Sequence, residues 1–70
     1  MQEYKGVIQK LFDLESGIIK GEDGNEYYFS KANFKNNKDI KEGDSVIFGI
    51  VTIETVNGYS IHKAIDIQKI

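Results

Sequence analysis

Apolar and polar residues alternate along most of this chain, and no stretch keeps an apolar period near 3.6 for the roughly ten residues a helix needs. Five stretches therefore read as strands: residues 4–12, 18–20, 26–31, 45–54 and 59–68. The clearest signal is Gly17-Ile18-Ile19-Lys20-Gly21-Glu22-Asp23-Gly24-Asn25-Glu26-Tyr27-Tyr28-Phe29-Ser30, two apolar runs joined by a glycine-bounded polar turn, which predicts a β-hairpin. Period-two alternation puts Tyr27 and Phe29 on the core face and Tyr28 and Ser30 on the outer one. Residues 32–39 are polar and suit one helical turn plus a loop, anchored by Phe34. Ile40-Lys41-Glu42-Gly43-Asp44 is a glycine turn leading into the longest strand. In that strand Val46, Phe48 and Ile50 form one apolar row, and Ile47, Val51 and Ile53 form another on the opposite face. Gly49 is expected to mark a bend or bulge. Asn57-Gly58 predicts a second hairpin, after which Ile61, Ile65 and Ile67 are expected on one row. The expectation is a single all-β domain over residues 1–70, a small five-stranded antiparallel barrel, since closure removes exposed sheet edges.

Composition narrows the function. A chain of 70 residues buries only about 60% of its unfolded surface, so it holds one core. It has no cysteine and a single histidine, His62, which supplies neither a disulfide nor a zinc-ligand set. The expectation is no metal and no cofactor. No residue beside Ser30 could activate it as a nucleophile, and no acid–base pair or triad spacing appears, so the chain reads as non-enzymatic. Gly21-x-x-Gly24 is a turn rather than a phosphate loop, because no lysine-serine follows and no helix opens there. The start, Met1-Gln2-Glu3-Tyr4-Lys5-Gly6, does not resemble a secretory signal, and no apolar run reaches membrane-spanning length; the expectation is a soluble, cytoplasmic protein without a membrane partner. Net charge is −2, which argues against broad neutralisation of duplex DNA. All nine cationic residues are lysines, so the bidentate fork that reads guanine is missing and sequence-specific readout is not expected.

The order of these pieces resembles the cold-shock domain family, OB-fold barrels that bind single-stranded DNA and RNA. Gly6-Val7-Ile8 matches the family's glycine-led first strand, and Gly17-Ile18-Ile19 stands where its first RNA-binding motif has glycine, aromatic, isoleucine. Glu26-Tyr27-Tyr28-Phe29-Ser30 stands where the second motif has acid, apolar, aromatic, apolar, histidine. Lys41-Glu42-Gly43-Asp44-Ser45-Val46-Ile47-Phe48 matches the opening of the fourth strand, and Lys63-Ala64-Ile65-Asp66-Ile67 resembles the last. Departures concern the ligand face. The family's lysine-tryptophan-phenylalanine-asparagine becomes Lys10-Leu11-Phe12-Asp13, or, shifted by one, Lys10 itself takes the tryptophan position. Ser16 and Ile18 stand for two outward phenylalanines, and Ser30 and Lys31 replace a histidine and an aromatic. Of roughly six stacking positions that the resemblance implies, Tyr28 alone stays a clear aromatic. Bacterial initiation factor one, another OB domain, shares a glycine-aspartate turn before a strand, but the Tyr-Tyr-Phe-Ser hairpin fits cold-shock domains better.

What the resemblance implies is a weak single-stranded RNA or DNA binder with little sequence preference, using Lys10, Ile18, Tyr28, Ser30, Lys31 and Lys63. Tyr28 would stack a base, Ile18 would support it, and the lysines, with Lys20, would track the backbone. Glu15, Glu22 and Glu26 would oppose a polyanion. Each residue also has a plain account: Tyr28 as a strand aromatic suited to cross-strand packing, the lysines as solvated residues that deter edge pairing. A competing function is a protein-interaction module, a homodimer through Ile47, Val51 and Ile53, with Val56; alternatively the C-terminal segment ending in Ile70 covers that row.

Overall fold

Burial alternates along the strands as the pattern requires, and the chain closes on itself. The computed structural model describes residues 3–12, 15–35 and 40–70. Its elements are β1 (Tyr4–Leu11), β2 (Ser16–Gly21), β3 (Glu26–Ser30), a 3₁₀ turn (Lys31–Asn33), β4 (Ser45–Glu54) and β5 (Ser60–Lys69). They form a closed barrel in the order β1-β2-β3-β5-β4, with β4 returning to β1. This is the five-stranded barrel anticipated, with one refinement. Four junctions are antiparallel, while β3 meets β5 in parallel where Tyr28 pairs with Lys63. A closed ring with an odd number of strands cannot alternate direction at every junction, so one parallel seam is a geometric necessity. The second strand also begins two residues earlier than its apolar run, and Asp13, Leu14 and residues 36–39 of the expected loops lie outside the described residues.

Inside the ring stand Ile8, Ile19, Tyr27, Phe29, Phe34, Val46, Phe48, Ala64 and Ile67, all buried. The Tyr27 and Phe48 rings lie 5.3 Å apart, and Phe29 meets Phe34 edge-on at 5.5 Å. Both are favourable aromatic geometries. Phe34, as expected, anchors the segment after β3: its backbone bridges Ile67, and the Lys35 N–H donates to the Ile67 carbonyl at 2.9 Å. The Gly43 turn is tied to β1 by the Gly43 N–H donating to Ile8 O (2.8 Å) and the Ile8 N–H donating to Asp44 O (2.9 Å).

Two β-bulges shape the surface. In β1, Ile8 pairs with Ile19 and Lys10 with Ile18, leaving Gln9 as the extra residue. In β5, Gln68 pairs with Ile47 and Ile65 with Gly49, so two β5 residues oppose Phe48. Asp66 takes φ 50 there. A bulge shifts side-chain parity by one. The expected single row of Ile61, Ile65 and Ile67 is therefore incorrect: Ala64 and Ile67 point inward, while Ile61 and Ile65 lie on the outer side. The bulge expected at Gly49 falls instead on the partner strand, and Gly49 itself pairs regularly with Ile65.

Candidate nucleic-acid interface

The hairpin that presents Tyr28 is held by its turn. The Gly24 N–H donates to Gly21 O at 3.0 Å with Gly24 at φ 88, the left-handed conformation that glycine adopts without strain. The Asp23 carboxylate accepts from the Asn25 N–H at 3.0 Å and from the Tyr27 hydroxyl. Those bonds, the phenol first, hold the Asp23 carboxyl below the usual carboxylate range, and the carboxylate pushes the Tyr27 phenol upward. With Tyr27 locked inward, its neighbour must face out. Tyr28 is 54% exposed.

Strand register brings four of the six sequence-predicted site residues into one line. Lys10 pairs with Ile18, Ile18 with Tyr28, and Tyr28 with Lys63, crossing β1, β2, β3 and β5; Lys63 then pairs with Val51 on β4. Ile18 and Lys63 are half-buried and Lys10 is exposed. The result is a phenol ring and an aliphatic side chain with a lysine on either side. Lys20 stands one row away, paired with Glu26, which supplies negative charge on the same face. Ser30 lies two residues beyond Tyr28, but its Oγ accepts from the Ala32 N–H at 3.4 Å, capping the 3₁₀ turn. Lys31 is half-buried in that turn beside Glu15, whose carbonyl accepts the Lys31 N–H at 2.6 Å. These two therefore sit at the margin of the line rather than in it.

One aromatic of this face escapes a reading by alternation. Phe12 is 54% exposed, with the Lys10 Nζ 5.9 Å from its ring centroid, a cation–π distance. Its N–H donates to Ser16 O at 3.1 Å, which places it in the row of Ser16 and Ser30, next to Ile18 and Tyr28. Counted by strict alternation from the buried Ile8, both Lys10 and Phe12 would point inward. The Gln9 bulge turns both outward and brings Lys10, in place of Gln9, into register with Ile18. The signals in the sequence are a lysine and an aromatic two residues apart and the place of Phe12 at the phenylalanine of the motif that Lys10-Leu11-Phe12-Asp13 resembles.

The other apolar row is only partly as expected. Val51 is 38% and Ile53 46% exposed, whereas Ile47 is half-buried where β4 lies between β1 and β5. The C-terminus does not cover this row. Ile70 is itself 70% exposed, and its N–H donates to Ser45 O, at the opposite end of β4. Among the described residues no group of three or more His, Asp or Glu could hold a metal ion. Compared with known proteins, the chain matches no family model and no curated protein.

Proposed function

We propose that the outer face of β1, β2, β3 and β5 is a platform for single-stranded RNA or DNA, engaged weakly and with little sequence preference, and that the protein is a non-enzymatic binding module. The observation that carries this reading is the cross-strand line Lys10, Ile18, Tyr28, Lys63. A phenol ring accepts the π-face of any base, and a lysine on either side meets phosphates without reading sequence. The resemblance to cold-shock domains supports the same face, since in OB-type barrels ligands lie over strands two and three. Affinity follows from the count of rings. Each stacked base contributes about 1–3 kcal/mol, and Tyr28 and Phe12 supply two stacking surfaces, so dissociation constants fall nearer the millimolar than the nanomolar end.

The test is a titration with oligo-dT and oligo-U at two salt concentrations, read by backbone amide shifts. Shifts clustered at Phe12, Ile18, Tyr28 and Lys63 that shrink with added salt support the reading. No response to either oligomer at high ligand concentration, or shifts confined to another face, removes it.

A further inference from the structure

Two glycine turns of this chain share a backbone geometry and differ in chemistry. Between β2 and β3 the Gly24 N–H donates to Gly21 O at 3.0 Å, with Gly24 at φ 88. Between β4 and β5 the Gly58 N–H donates to Thr55 O at 3.0 Å, with Gly58 at φ 83. The residues before these glycines, Asp23 and Asn57, each carry a carbonyl carbon one methylene from the main chain. Attack on that carbon by the glycine nitrogen closes a five-membered ring, and glycine puts no side chain in its way. In the first turn the attack is blocked. The Asp23 carboxylate accepts from the Asn25 N–H at 3.0 Å and from the Tyr27 hydroxyl, which hold it in place and ionised. An ionised carboxylate is a poor electrophile, because its displacement would have to expel oxide. Asn57 is neutral and exposed, and its amide has no comparable restraint among the described residues.

We propose that Asn57 is a site of spontaneous modification, at which cyclisation onto the Gly58 nitrogen converts the asparagine to a mixture of aspartate and isoaspartate. The Gly58 nitrogen gives up its proton and bonds to Asn57 Cγ, and the side-chain nitrogen leaves as ammonia. Water then opens the ring at either of its two carbonyls. The water oxygen stays on the carboxylate formed, and a proton returns to the ring nitrogen. The one bond that holds the attacking nitrogen lies in a turn that opens easily, since Val56 is fully exposed and Tyr59 is 71% exposed.

Either product adds one negative charge to the net charge of −2. Isoaspartate does more, because it routes the main chain through the side-chain carbon and so lengthens the turn by one atom. Three bonds depend on the original spacing: Gly58 N–H to Thr55 O at 3.0 Å, Tyr59 N–H to Thr55 Oγ1 at 3.2 Å and Thr55 N–H to Tyr59 O at 2.8 Å. Their loss frays the end of the hairpin. The core residues of these two strands, Val46, Phe48, Ala64 and Ile67, lie further along, so the barrel stays closed. The modification needs no ligand and is independent of what the barrel binds.

Incubation of the intact protein in mildly alkaline buffer, followed by peptide mapping, ammonia assay and backbone amide spectra, tests the proposal in wild type, Asn57→Gln and Asp23→Asn. A gain of one dalton in the wild-type peptide that holds Asn57, resolved into aspartate and isoaspartate forms and matched by released ammonia, supports it. Amide changes are expected at residues 55–59 and not in the core. In Asn57→Gln, where the ring would have six members, the gain in this peptide is expected to disappear. Asp23→Asn places the same dipeptide in the held turn, and slower conversion there than at Asn57 supports the part assigned to restraint. An Asn57 that converts no faster than Asn25, aspartate without isoaspartate, or equal rates at positions 23 and 57 in Asp23→Asn overturns the proposal.

Discussion

On the proposed function, Tyr28 is the residue on which binding would depend most, because its phenol is the ring of the exposed line while its neighbours Tyr27 and Phe29 are held in the core. Tyr28→Ala is expected to weaken oligo-dT binding by about 1–3 kcal/mol, roughly 5- to 150-fold, with little change in stability, as checked by amide-shift titration beside a denaturant curve. Phe12→Ala is expected to show the same signature. A loss confined to Tyr28 would show that the Lys10 ammonium, 5.9 Å from the Phe12 centroid, holds that ring away from ligand. The outward placement of Tyr28 was legible from alternation within an unbroken strand. That of Phe12 was not, since it depends on one unpaired residue, Gln9, which changes the parity of everything after it.

Among the elements, the β2–β3 hairpin carries a pH dependence in both directions. Asp23 titrates below its ordinary value of 3.8, so the support it gives the turn is present above that pH and is lost as pH falls through its depressed value. Tyr27 titrates above its ordinary 10.0, so its donated bond is fully present below that pH and is lost as pH rises through the raised value. Amide-exchange protection at Gly24 and Asn25 is therefore expected to fall at both extremes, and Tyr27→Phe to abolish the alkaline limb. A second element-scale contrast concerns two strand glycines. A Cβ on Gly17 would stand 2.4 Å from the Lys10 carbonyl oxygen and 2.8 Å from the Phe29 ring, whereas one on Gly49 would meet nothing closer than Ile65 at 3.5 Å. Gly17→Ala is expected to destabilise by about 1–3 kcal/mol through overpacking against backbone, and Gly49→Ala to be tolerated, as read from denaturant midpoints. Gly49 looked like the corner of the barrel in sequence. The bend lies across the ladder at Asp66, a residue type that tolerates φ 50 and so leaves no glycine to announce it.

For the whole molecule, a 70-residue barrel without disulfide or metal is expected to have roughly 4–10 kcal/mol of stability in all. Phe48, which stacks on Tyr4 and meets Tyr27 at a tilt, is the side chain whose loss such a total can least absorb. Phe48→Ala is expected to cost about 3–5 kcal/mol and to leave a substantial unfolded fraction by circular dichroism. Binding, by contrast, is expected to depend on salt despite the net charge of −2, because Lys10, Lys20 and Lys63 are concentrated on one face. The logarithm of the binding constant should fall against that of salt with a slope of about −2, and Lys63→Gln should make it shallower by about 0.7.

What the amino-acid order determined by itself was local: which segments are extended, where glycine and asparagine turn the chain, and which of Tyr27, Tyr28 and Phe29 enters the core. Those follow from side-chain alternation and turn chemistry within a few residues. The parallel seam at Tyr28 and Lys63, the two bulges, and with them the alignment of Lys10, Ile18, Tyr28 and Lys63 were decided only by tertiary structure. Closing an odd ring of twisted strands constrains all five at once, and no single segment carries that condition in its own pattern.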